Sequence, residues 1–525
     1  AFLQPDYMAV KHDPFLLPDM KKAVARLKQA RQRGEKIVIY GDYDIDGLSA
    51  TALLLDAFSK FGFEGVDAFI PNRFVEGYGM TMGAVDKVRD MGADLIVTVD
   101  TGSLCHEEIA YAASLGIDTV VTDHHNVAET PPPSVAAVNP KFPGHTYPFR
   151  DLCGAGVAFK LVQALQTELD GLPDGYEKWL LDLVALGTVC DIVTLADENR
   201  ANVYWGLEVL KKQQRPGLKA LMAVAGIEPE QVNARHLGFG LGPRMNAAGR
   251  LETAQHALDM LTARDGLAAL EASEKLEELN IKRRGIQDAI FEEACVQAEQ
   301  LADDRVLVVS SGGWNHGVIG IVASKLVEKY KKPVFIIGER GEEATGSARS
   351  FGDFSAADAV RAADDIIIKG GGHGAAAGVT LETEKIDDFR RRVNEFYDSL
   401  QLTNQERYLL PRADVEIDDF SEIDEELVAN LAKMEPFGNG NPEPVLKIAT
   451  ANVLSVRRMG TDGQHVKLAL RDKNGTVLQM LAFNAPEEFF RDPGDEVAAW
   501  FQPTINEWQG VRTVEGRLLH VSSAE

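Results

Sequence analysis

The chain has 525 residues, 45% of them hydrophobic, and carries a formal net charge of −26 at pH 7. One hydrophobic core does not serve a chain of this length, so we expect two to four domains. No apolar stretch approaches the roughly 20 residues that span a bilayer, which excludes a membrane protein, and the negative charge, taken alone, disfavours nucleic acid as a partner because phosphate binding needs a positive surface. Basic residues nevertheless cluster locally, in IKRR at 281–284 and KLVEKYKK at 325–332.

Residues 1–35 form an N-terminal segment that opens AFLQPDYMAVKHD, without an initiator Met and without a basic-then-apolar signal pattern. We expect a trimmed chain from a cytoplasmic protein. The cysteines contain no CxxC pair, which disfavours a zinc site or a disulfide framework and suits a reducing compartment. They are Cys105, Cys153, Cys190 and Cys295.

The next region, 36–252, is predicted to be a doubly wound α/β domain with a parallel sheet, because short apolar runs alternate with amphipathic segments. Two of those segments, 48–62 and 107–116, have helical spacing and end at Gly. The predicted strands are 36–40, 66–70, 94–100, 118–123 and 136–139.

The loop GDYDIDG follows the first predicted strand and places Asp42, Asp44 and Asp46 at alternate positions. Ligands of α/β sheets bind beyond the carboxyl ends of the strands. Three carboxylates so close raise one another's pKa at a cost in folding free energy, which a bound cation removes. The alternative is that Asp46 caps a helix starting near Leu48 while the other two carboxylates are solvated.

Acids and imidazoles also end the neighbouring predicted strands. LIVTVD ends at Asp100, TVVTDHH ends with Asp123, His124 and His125, and Asp191 follows the apolar segment ALGTVC. Carboxylate and imidazole ligands without thiolate suit Mn²⁺ or Mg²⁺ better than zinc. So many acids favour two cations sharing one carboxylate, an arrangement that hydrolyses phosphate esters.

The remaining chain is predicted to contain three further parts. Residues 253–302 have helical periodicity and few helix breakers, which indicates a long connector helix, although an ordinary helix lying on the first domain is an alternative. Residues 303–402 are a second α/β domain. Residues 403–525 are a linker with eight acidic residues in 413–426, followed by a small OB-like β-barrel with a type I′ hairpin at KNGT, 473–476.

These motifs resemble a known superfamily. DYDIDG, VTVD, DHH and GTVCD are similar to the four successive motifs of DHH phosphoesterases, while SGGWNHGVIGIVASKL, GSARS and GGGHGAAAG are similar to the DHHA1 domain that often follows. The order, the spacing and the barrel-like end resemble the branch of single-strand-specific 5′-to-3′ DNA exonucleases. The resemblance extends from about residue 36 to 520.

The resemblance implies two metal sites in the DHH domain. Asp44 would serve the first ion together with Asp42, which stands near the place where related pyrophosphatases have a His ligand. Asp100 would serve both ions, and the second ion would be held by Asp46, His124 and Asp191. His125 would face the substrate phosphate or orient water, or alternatively support the metal site without touching substrate.

Phosphate contacts are expected from glycine, serine and arginine groups. Two alternatives to phosphate binding are open: that the glycines serve only to form a turn, and that each Arg serves only in a structural ion pair. Ser347, Arg349 and Arg250 are expected to hold a 5′ phosphate. The full set is Arg244, Asn246, Arg250, Ser347, Arg349, Ser350, Gly370, Gly371, Gly372 and His373.

The leading interpretation is a two-metal 5′-to-3′ exonuclease that degrades single-stranded DNA to mononucleotides in repair and recombination. The chain is expected to be a monomer, with single-strand-binding protein or helicase as possible partners. Barrel aromatics would stack on bases, although at least half of the four candidates are expected to lie in the barrel core instead. Two alternatives stay open, a phosphodiesterase for short oligonucleotides or cyclic dinucleotides and a non-catalytic strand-binding scaffold. The candidate stacking residues are Phe483, Trp500, Phe501 and Trp508.

Overall fold

The computed structural model describes residues 2–77, 79–508 and 510–524 and, of Trp508, the main chain. The chain divides into two units. The first comprises Ala1–Gly285 with Pro436–Pro442, and the second comprises Ile286–Glu435 with Glu443–Glu525.

A five-stranded parallel sheet forms the centre of the first unit, in the order β2-β1-β3-β4-β5. All five predicted strands are confirmed, with bounds that differ by a residue or two. The strands are β1 (Ile37–Gly41), β2 (Val66–Phe69), β3 (Leu95–Val99), β4 (Asp118–Thr122) and β5 (Ala136–Val138).

Alternate residues of β1 enter two different cores, which is why this strand is apolar throughout. Ile37 and Ile39 belong to one buried cluster, and Val38 and Tyr40 belong to another. The sheet is therefore covered by helices on both faces, as the doubly wound prediction requires.

Twelve helices begin in the described part of the first unit, and a π-helix at His236–Leu241 directly precedes the tenth. None of the helices in the described ranges is both long enough and apolar enough to cross a bilayer. Their bounds are α1 (Tyr7–Val10), α2 (Met20–Arg33), α3 (Ile45–Phe61), α4 (Met82–Asp90), α5 (His106–Ser114), α6 (Gly154–Gln166), α7 (Leu181–Cys190), α8 (Asp197–Lys211), α9 (Pro216–Val224), α10 (Gly242–Leu251), α11 (Gln255–Thr262) and α12 (Gly266–Gln300).

The predicted connector helix is shorter than 253–302. Non-helical backbone at Ala263 ends α11, and α12 begins at Gly266 with the Asp265 side chain accepting from the main-chain N–H of Leu267 (3.0 Å) and Ala268 (2.9 Å). This side-chain cap is a local signal that a break-free helical pattern hides. The division between the two units falls within α12, after Gly285.

The second unit contains a mixed sheet in the order β6-β7-β8-β10-β9, in which β6 and β7 run parallel and the other neighbours run antiparallel. This second α/β domain is confirmed. Its elements are β6 (Leu307–Gly312), α13 (Ile319–Tyr330), β7 (Val334–Arg340), β8 (Glu343–Arg349), α14 (Ala356–Arg361), β9 (Lys369–Gly372), β10 (Ala376–Glu382) and α15 (Ile386–Ser399).

The predicted C-terminal barrel is confirmed as five strands closed by pairing of β12 with β15, with β11 added in parallel beside β12. Closure removes free strand edges. The elements are β11 (Val415–Ile417), α16 (Glu425–Ala432), β12 (Leu446–Met459), β13 (His465–Arg471), β14 (Val477–Ala482), β15 (Glu496–Trp508) and β16 (Val511–Ser523).

The KNGT turn does join two paired strands, but its type I′ assignment is wrong. Type I′ needs positive φ at both central residues, whereas Gly475 has φ 91° and Asn474 is not in the positive-φ region. The Asp472 side chain accepts from the N–H of Asn474 and of Thr476, both at 2.9 Å, and this stabilises a longer turn instead.

Candidate metal centre

Three adjacent parallel strands deliver carboxylates to one edge of the first sheet. Gly41 of β1 lies opposite Val99 of β3, which lies opposite Thr122 of β4. The next residue in each chain segment is Asp42, Asp100 or Asp123, and all three are buried. The topology thus places these acids at the carboxyl end of the sheet, where α/β proteins bind ligands.

The acidic loop turns directly into α3, and Asp44 is its N-cap. Asp44 Oδ1 accepts from the N–H of Asp46 (2.9 Å) and of Gly47 (3.1 Å). The alternative in which Asp46 caps a helix near Leu48 is therefore wrong, because the helix begins at Ile45 and Asp46 is buried in its first turn.

Asp46 is held from the opposite side by the N-terminus of α6. Its Oδ2 accepts from Gly154 N–H (2.5 Å), and its Oδ1 accepts from Ala155 N–H (2.8 Å). Both donors belong to the first turn of a 13-residue helix, whose unpaired N–H groups and dipole favour an anion. The carboxylate is thereby fixed in orientation.

The carboxylates and imidazoles form three groups whose potential ligand atoms lie within 4.8 Å of one another. Asp100 belongs to two of these groups, and His124 also belongs to two. The groups are Asp42, Asp44 and Asp100; Asp46, His124 and Asp191; and Asp100, His124 and His125.

Unsatisfied polar atoms in these groups fit a cation. Among the described residues, Asp42 Oδ1, Asp100 Oδ1 and His124 Nε2 are buried and make no hydrogen bond, although the last two lie 3.0 Å apart. Buried polar atoms without partners are rare and costly. Oxygen and nitrogen atoms converging in this way, with no thiolate, suit Mn²⁺ or Mg²⁺.

The pKa values of the carboxyl groups reflect burial and crowding. Burial, followed by the charge of Asp44, raises the pKa of Asp42 to about 7 and that of Asp46 to about 6. Burial and the charge of Asp46 raise the pKa of Asp191 to about 7. Burial and the same neighbours raise the pKa of Asp100 well above its usual value. Without a cation, ionisation of these four crowded and buried acids is therefore less favourable than in water.

Asp123 organises the two histidines. Its Oδ1 accepts from His124 N–H (2.7 Å) and lies 2.9 Å from His125 Nδ1, while its Oδ2 accepts from Ser103 N–H (2.9 Å). Burial lowers the pKa of His125, but the bond to Asp123 outweighs it and raises the pKa to about 9. Burial lowers the pKa of His124, which keeps that imidazole neutral and able to ligate.

Strain and close packing add further features to this site. Asp100 has φ 60°, a left-handed conformation that is uncommon outside glycine and is often found at functional sites. A Cβ on Gly154 would lie 2.5 Å from Asp100 Cβ, and one on Gly187 would lie 2.4 Å from Asp46 Oδ1. Only glycine lets these two helices approach the carboxylates so closely.

Sequence reasoning counted Asp123 among the acids that end the strands but assigned it to neither ion, and it gave no role to Gly154 or Gly187. A signal for Asp123 was present, since it stands in the DHH motif itself. Gly187 is the first residue of the GTVCD motif, but a glycine in a sequence does not indicate which side chain it contacts in the fold. Gly154 lies in the segment CGAG, which has no acidic or basic residue, so only the fold relates it to Asp100.

In the second unit, the serine–arginine and glycine motifs share one sheet register. Ser347 of β8 pairs with Gly378 of β10, which pairs with Gly371 of β9. Arg349 Nη1 donates to Ser347 Oγ (3.2 Å) and to the Ala348 carbonyl (2.7 Å). Glycines at the two neighbouring positions leave the sheet surface beside Ser347 without side chains.

The other predicted phosphate residues of this unit differ in exposure. Gly370, Gly371, Gly372 and His373 are exposed. Gly372 is required sterically, because its φ is 149° and a Cβ there would lie 2.3 Å from the Ala376 carbonyl oxygen. Ser350 lies just after β8, and its hydroxyl donates to the Phe354 carbonyl (2.7 Å).

The predicted group at the end of the first domain lies on α10. Arg244 contacts the Glu277 carboxylate, with Nε and Oε2 2.5 Å apart, and donates to the Gly240 carbonyl (2.7 Å). This is the ion pair foreseen as the alternative. Asn246 and Arg250 are half-buried on the same helix.

The four barrel aromatics have different environments. Phe501 is fully buried in the barrel core, whereas Phe483 is 65% exposed and lies edge-on to His465. Trp500 is half-buried, with Lys447 Nζ 5.2 Å from its ring centroid. The side chain of Trp508 lies outside the described part of the chain.

Three family models match the chain in order. The DHH family, N-terminal domain, matches residues 36–188, the DHHA1 domain matches 303–399, and the RecJ OB domain matches 413–520. The three matched domains correspond, in this order, to the first α/β sheet, the second α/β sheet and the barrel.

Similar proteins carry one shared description, single-stranded-DNA-specific exonuclease RecJ. The protein of Bacillus subtilis strain 168 is 40% identical over 502 residues, which cover 95% of this chain and 62% of the relative. That of Salmonella typhimurium strain LT2 is 35% identical over 528 residues, with 95% and 89% covered. The chain therefore spans less than two thirds of the Bacillus protein.

Solved structures that are similar to this chain are also named RecJ. RecJ from Thermus thermophilus in complex with Mn²⁺ superposes with a TM-score of 0.83 at 31% identity, covering 97% of this chain and 72% of that chain. Its complex with Mg²⁺ gives a TM-score of 0.77 at 28% identity, with 100% and 72% covered.

Proposed function

The chain belongs to the RecJ family of single-stranded-DNA-specific exonucleases, and we propose that it degrades single-stranded DNA from the 5′ end to mononucleotides by two-metal hydrolysis, in DNA repair and recombination. The proposal is supported by the named relatives and by the acidic centre on the first sheet.

One observation carries the chemistry: Asp100 groups with Asp42 and Asp44 and also with His124, and His124 in turn groups with Asp46 and Asp191. We assign Asp42, Asp44 and Asp100 to one ion. We assign Asp46, His124 and Asp191, again with Asp100, to the other. Bound Mn²⁺ or Mg²⁺ would supply activation of water and neutralisation of charge on the phosphate.

The chain's own groups would orient the reaction. The α6 N-terminus fixes both oxygens of Asp46, and Asp123 fixes the ring of His125. With a pKa raised to about 9 by Asp123 against the effect of burial, His125 carries a positive charge at neutral pH. We assign to it a contact with the scissile phosphate, where a cationic donor stabilises developing negative charge.

The 5′-to-3′ direction of degradation would follow from recognition of a 5′ phosphate. The Arg349 guanidinium beside the Ser347 hydroxyl offers charged and neutral donors to phosphate oxygens, and the bare glycine surface next to them admits a close approach. We also propose a phosphate contact for Arg250 in the first unit. Phe483 and Trp500 of the barrel would stack on bases further along.

We further propose that the protein works as a monomer in the cytoplasm, with single-strand-binding protein or a helicase supplying the strand. Its DNA substrate and its four free cysteines support this compartment.

The direct test is digestion of a long single strand labelled at either end, in Mn²⁺. Release of labelled mononucleotide from the 5′ end at once, with gradual shortening of the 3′-labelled strand, is the expected result. Rapid cleavage of a dinucleotide without attack on the long strand would instead favour a small-substrate phosphodiesterase. Strand binding without any cleavage in Mn²⁺ would favour a scaffold.

A further inference from the structure

The turn that follows α7 carries one of the predicted metal ligands in a strained conformation. Asp191 is the C-cap of α7, and its N–H donates to the Gly187 carbonyl (2.9 Å). The next residue, Ile192, has φ 60°, which is an outlier for a β-branched residue. Its side chain is 70% exposed, so its own packing does not explain this conformation.

A distant segment of the chain contacts this turn. The 436–442 segment, PFGNGNP, precedes the barrel strand β12, yet it belongs to the first unit. Asn439 Nδ2 donates to the Ile192 carbonyl (2.9 Å), and the Asn439 carbonyl accepts from Leu195 N–H (2.7 Å). One residue thus binds the main chain at both ends of the turn.

The segment fits the turn closely and is itself fixed. A Cβ on Gly438 would lie 2.7 Å from Leu195 Cδ1, and one on Gly440 would lie 2.6 Å from Thr194 Cγ2. Asn441 Nδ2 donates to the Pro436 carbonyl (2.8 Å), which also accepts from a guanidinium N–H of Arg200 (3.2 Å). Pro436 and Asn441 are buried.

We propose that Asn439 is a positioning residue for Asp191, which it holds through the adjacent Ile192 carbonyl so that the carboxylate stays directed at the second ion. This inference rests on the proposed function. Without the bond, Ile192 would relax toward ordinary negative φ, and rotation at that residue would move the turn that carries the ligand. The chain segment leading into the barrel thereby completes the metal centre of the first unit.

The test is calorimetric titration of the full chain with Mn²⁺ at neutral pH, after removal of bound metal. In Asn439→Ala, one of two bound ions should bind roughly tenfold more weakly, as for other groups that support metal ligands, while the other ion is unaffected. Asp191→Ala identifies which ion is lost. Because Asn439 is exposed, its truncation should leave the fold intact.

A matched control separates positioning from general stabilisation. Asn394 also binds distant main chain, accepting from Arg305 N–H (2.8 Å) and Val306 N–H (2.9 Å) in the second unit. Asn394→Ala should lower the melting temperature and leave both Mn²⁺ affinities unchanged. If it weakens metal uptake as Asn439→Ala does, the effect is general and the inference is wrong.

Rescue tests the strained turn itself. In the Asn439→Ala background, Ile192→Gly should restore most of the lost affinity, because glycine adopts positive φ without help. Wild-type Mn²⁺ binding by Asn439→Ala, equal weakening of both ions, or failure of Ile192→Gly to restore binding would each overturn the inference. If the unaltered chain takes up no Mn²⁺, the proposed function fails instead.

Discussion

At the scale of single residues, Asp100 is the centre of the account. It directly follows β3, is fully buried and has φ 60°. It groups with Asp42 and Asp44, and its Oδ1 lies 3.0 Å from Nε2 of His124, which in turn groups with Asp46 and Asp191. Its pKa is raised by burial and by the neighbouring carboxylates. We propose that a residue with so many unfavourable features persists because the site uses a carboxylate between two cations.

Asp100→Asn should therefore reduce cleavage of single-stranded DNA by roughly 10³-fold or more, about 4 kcal/mol of activation free energy, while strand binding changes little. Single-turnover digestion and fluorescence anisotropy measure the two quantities. Asp67→Asn, at an exposed position of β2 in the same sheet, serves as the control. Full activity of Asp100→Asn would refute the shared carboxylate.

The raised carboxyl pKa values also make the free energy of unfolding depend on pH. Asp42 and Asp191 have pKa values of about 7 in the fold, against 3.8 ordinarily, because of burial and neighbouring acids. Between about pH 4 and pH 7 the folded chain therefore binds more protons than the unfolded chain, so the free energy of unfolding falls as pH rises.

In a chelator, the melting temperature of the first unit should thus be lower at pH 8 than at pH 5.5. The difference should shrink in Asp100→Asn and disappear on addition of Mn²⁺, which binds only the folded site. Differential scanning calorimetry at the two pH values measures this. A chain without metal that is more stable at pH 8 would contradict the assignment.

At the scale of elements, the N-terminus of α6 matters as much as the acidic loop. It donates two N–H groups to Asp46, and Gly154 lets it approach Asp100. The first turn of α3 supplies Asp46 as a proposed ligand, and α6 fixes its carboxylate without contributing a charged side chain.

Gly154→Ala should displace Asp100 and weaken Mn²⁺ uptake by roughly tenfold or more, because the added methyl group would lie 2.5 Å from Asp100 Cβ. Gly156→Ala, two residues further along α6, is the matched control, since its Cβ would meet Leu152 at an ordinary 3.5 Å. Titration calorimetry with Mn²⁺ compares the affinities of the two variants. Equal affinity of the two variants would show that close packing at Gly154 is irrelevant.

Most strands and helices could be predicted from the sequence, whereas the contacts between distant residues could not. Apolar runs ending in acids identified the strands of the first sheet, because a strand buried on both faces leaves a continuous pattern in sequence. The start of α12 was missed because one capping side chain, Asp265, decides it. Asn439 could not be found, since a bond to Ile192 across 247 residues leaves no local trace.

At the scale of the whole molecule, the net charge of −26 was a poor guide to the substrate. Acidic residues are dense in the metal centre and in the 413–426 segment, which carries eight of them. The structure places part of this predicted linker beside the barrel, as β11 paired with β12. The average charge therefore describes neither the proposed phosphate site nor the barrel strands. The resemblance of the motifs identified the exonuclease branch, which the relatives support, whereas the charge alone disfavoured it.

The barrel should contribute to strand affinity through its exposed aromatics. Phe483→Ala should weaken binding of a long single strand by roughly tenfold, the value of one base stacked on a ring, with no loss of melting temperature. Val477→Ala, an exposed apolar position in the same barrel, is the control. Unchanged affinity of Phe483→Ala for the long strand would remove this residue from the DNA path.

The most direct measurement of the central claim is anomalous diffraction from crystals of the chain soaked in Mn²⁺. The account predicts two manganese peaks at the carboxyl end of the first sheet, with Asp100 contacting both. A single peak, or two peaks of which neither contacts Asp100, would contradict it.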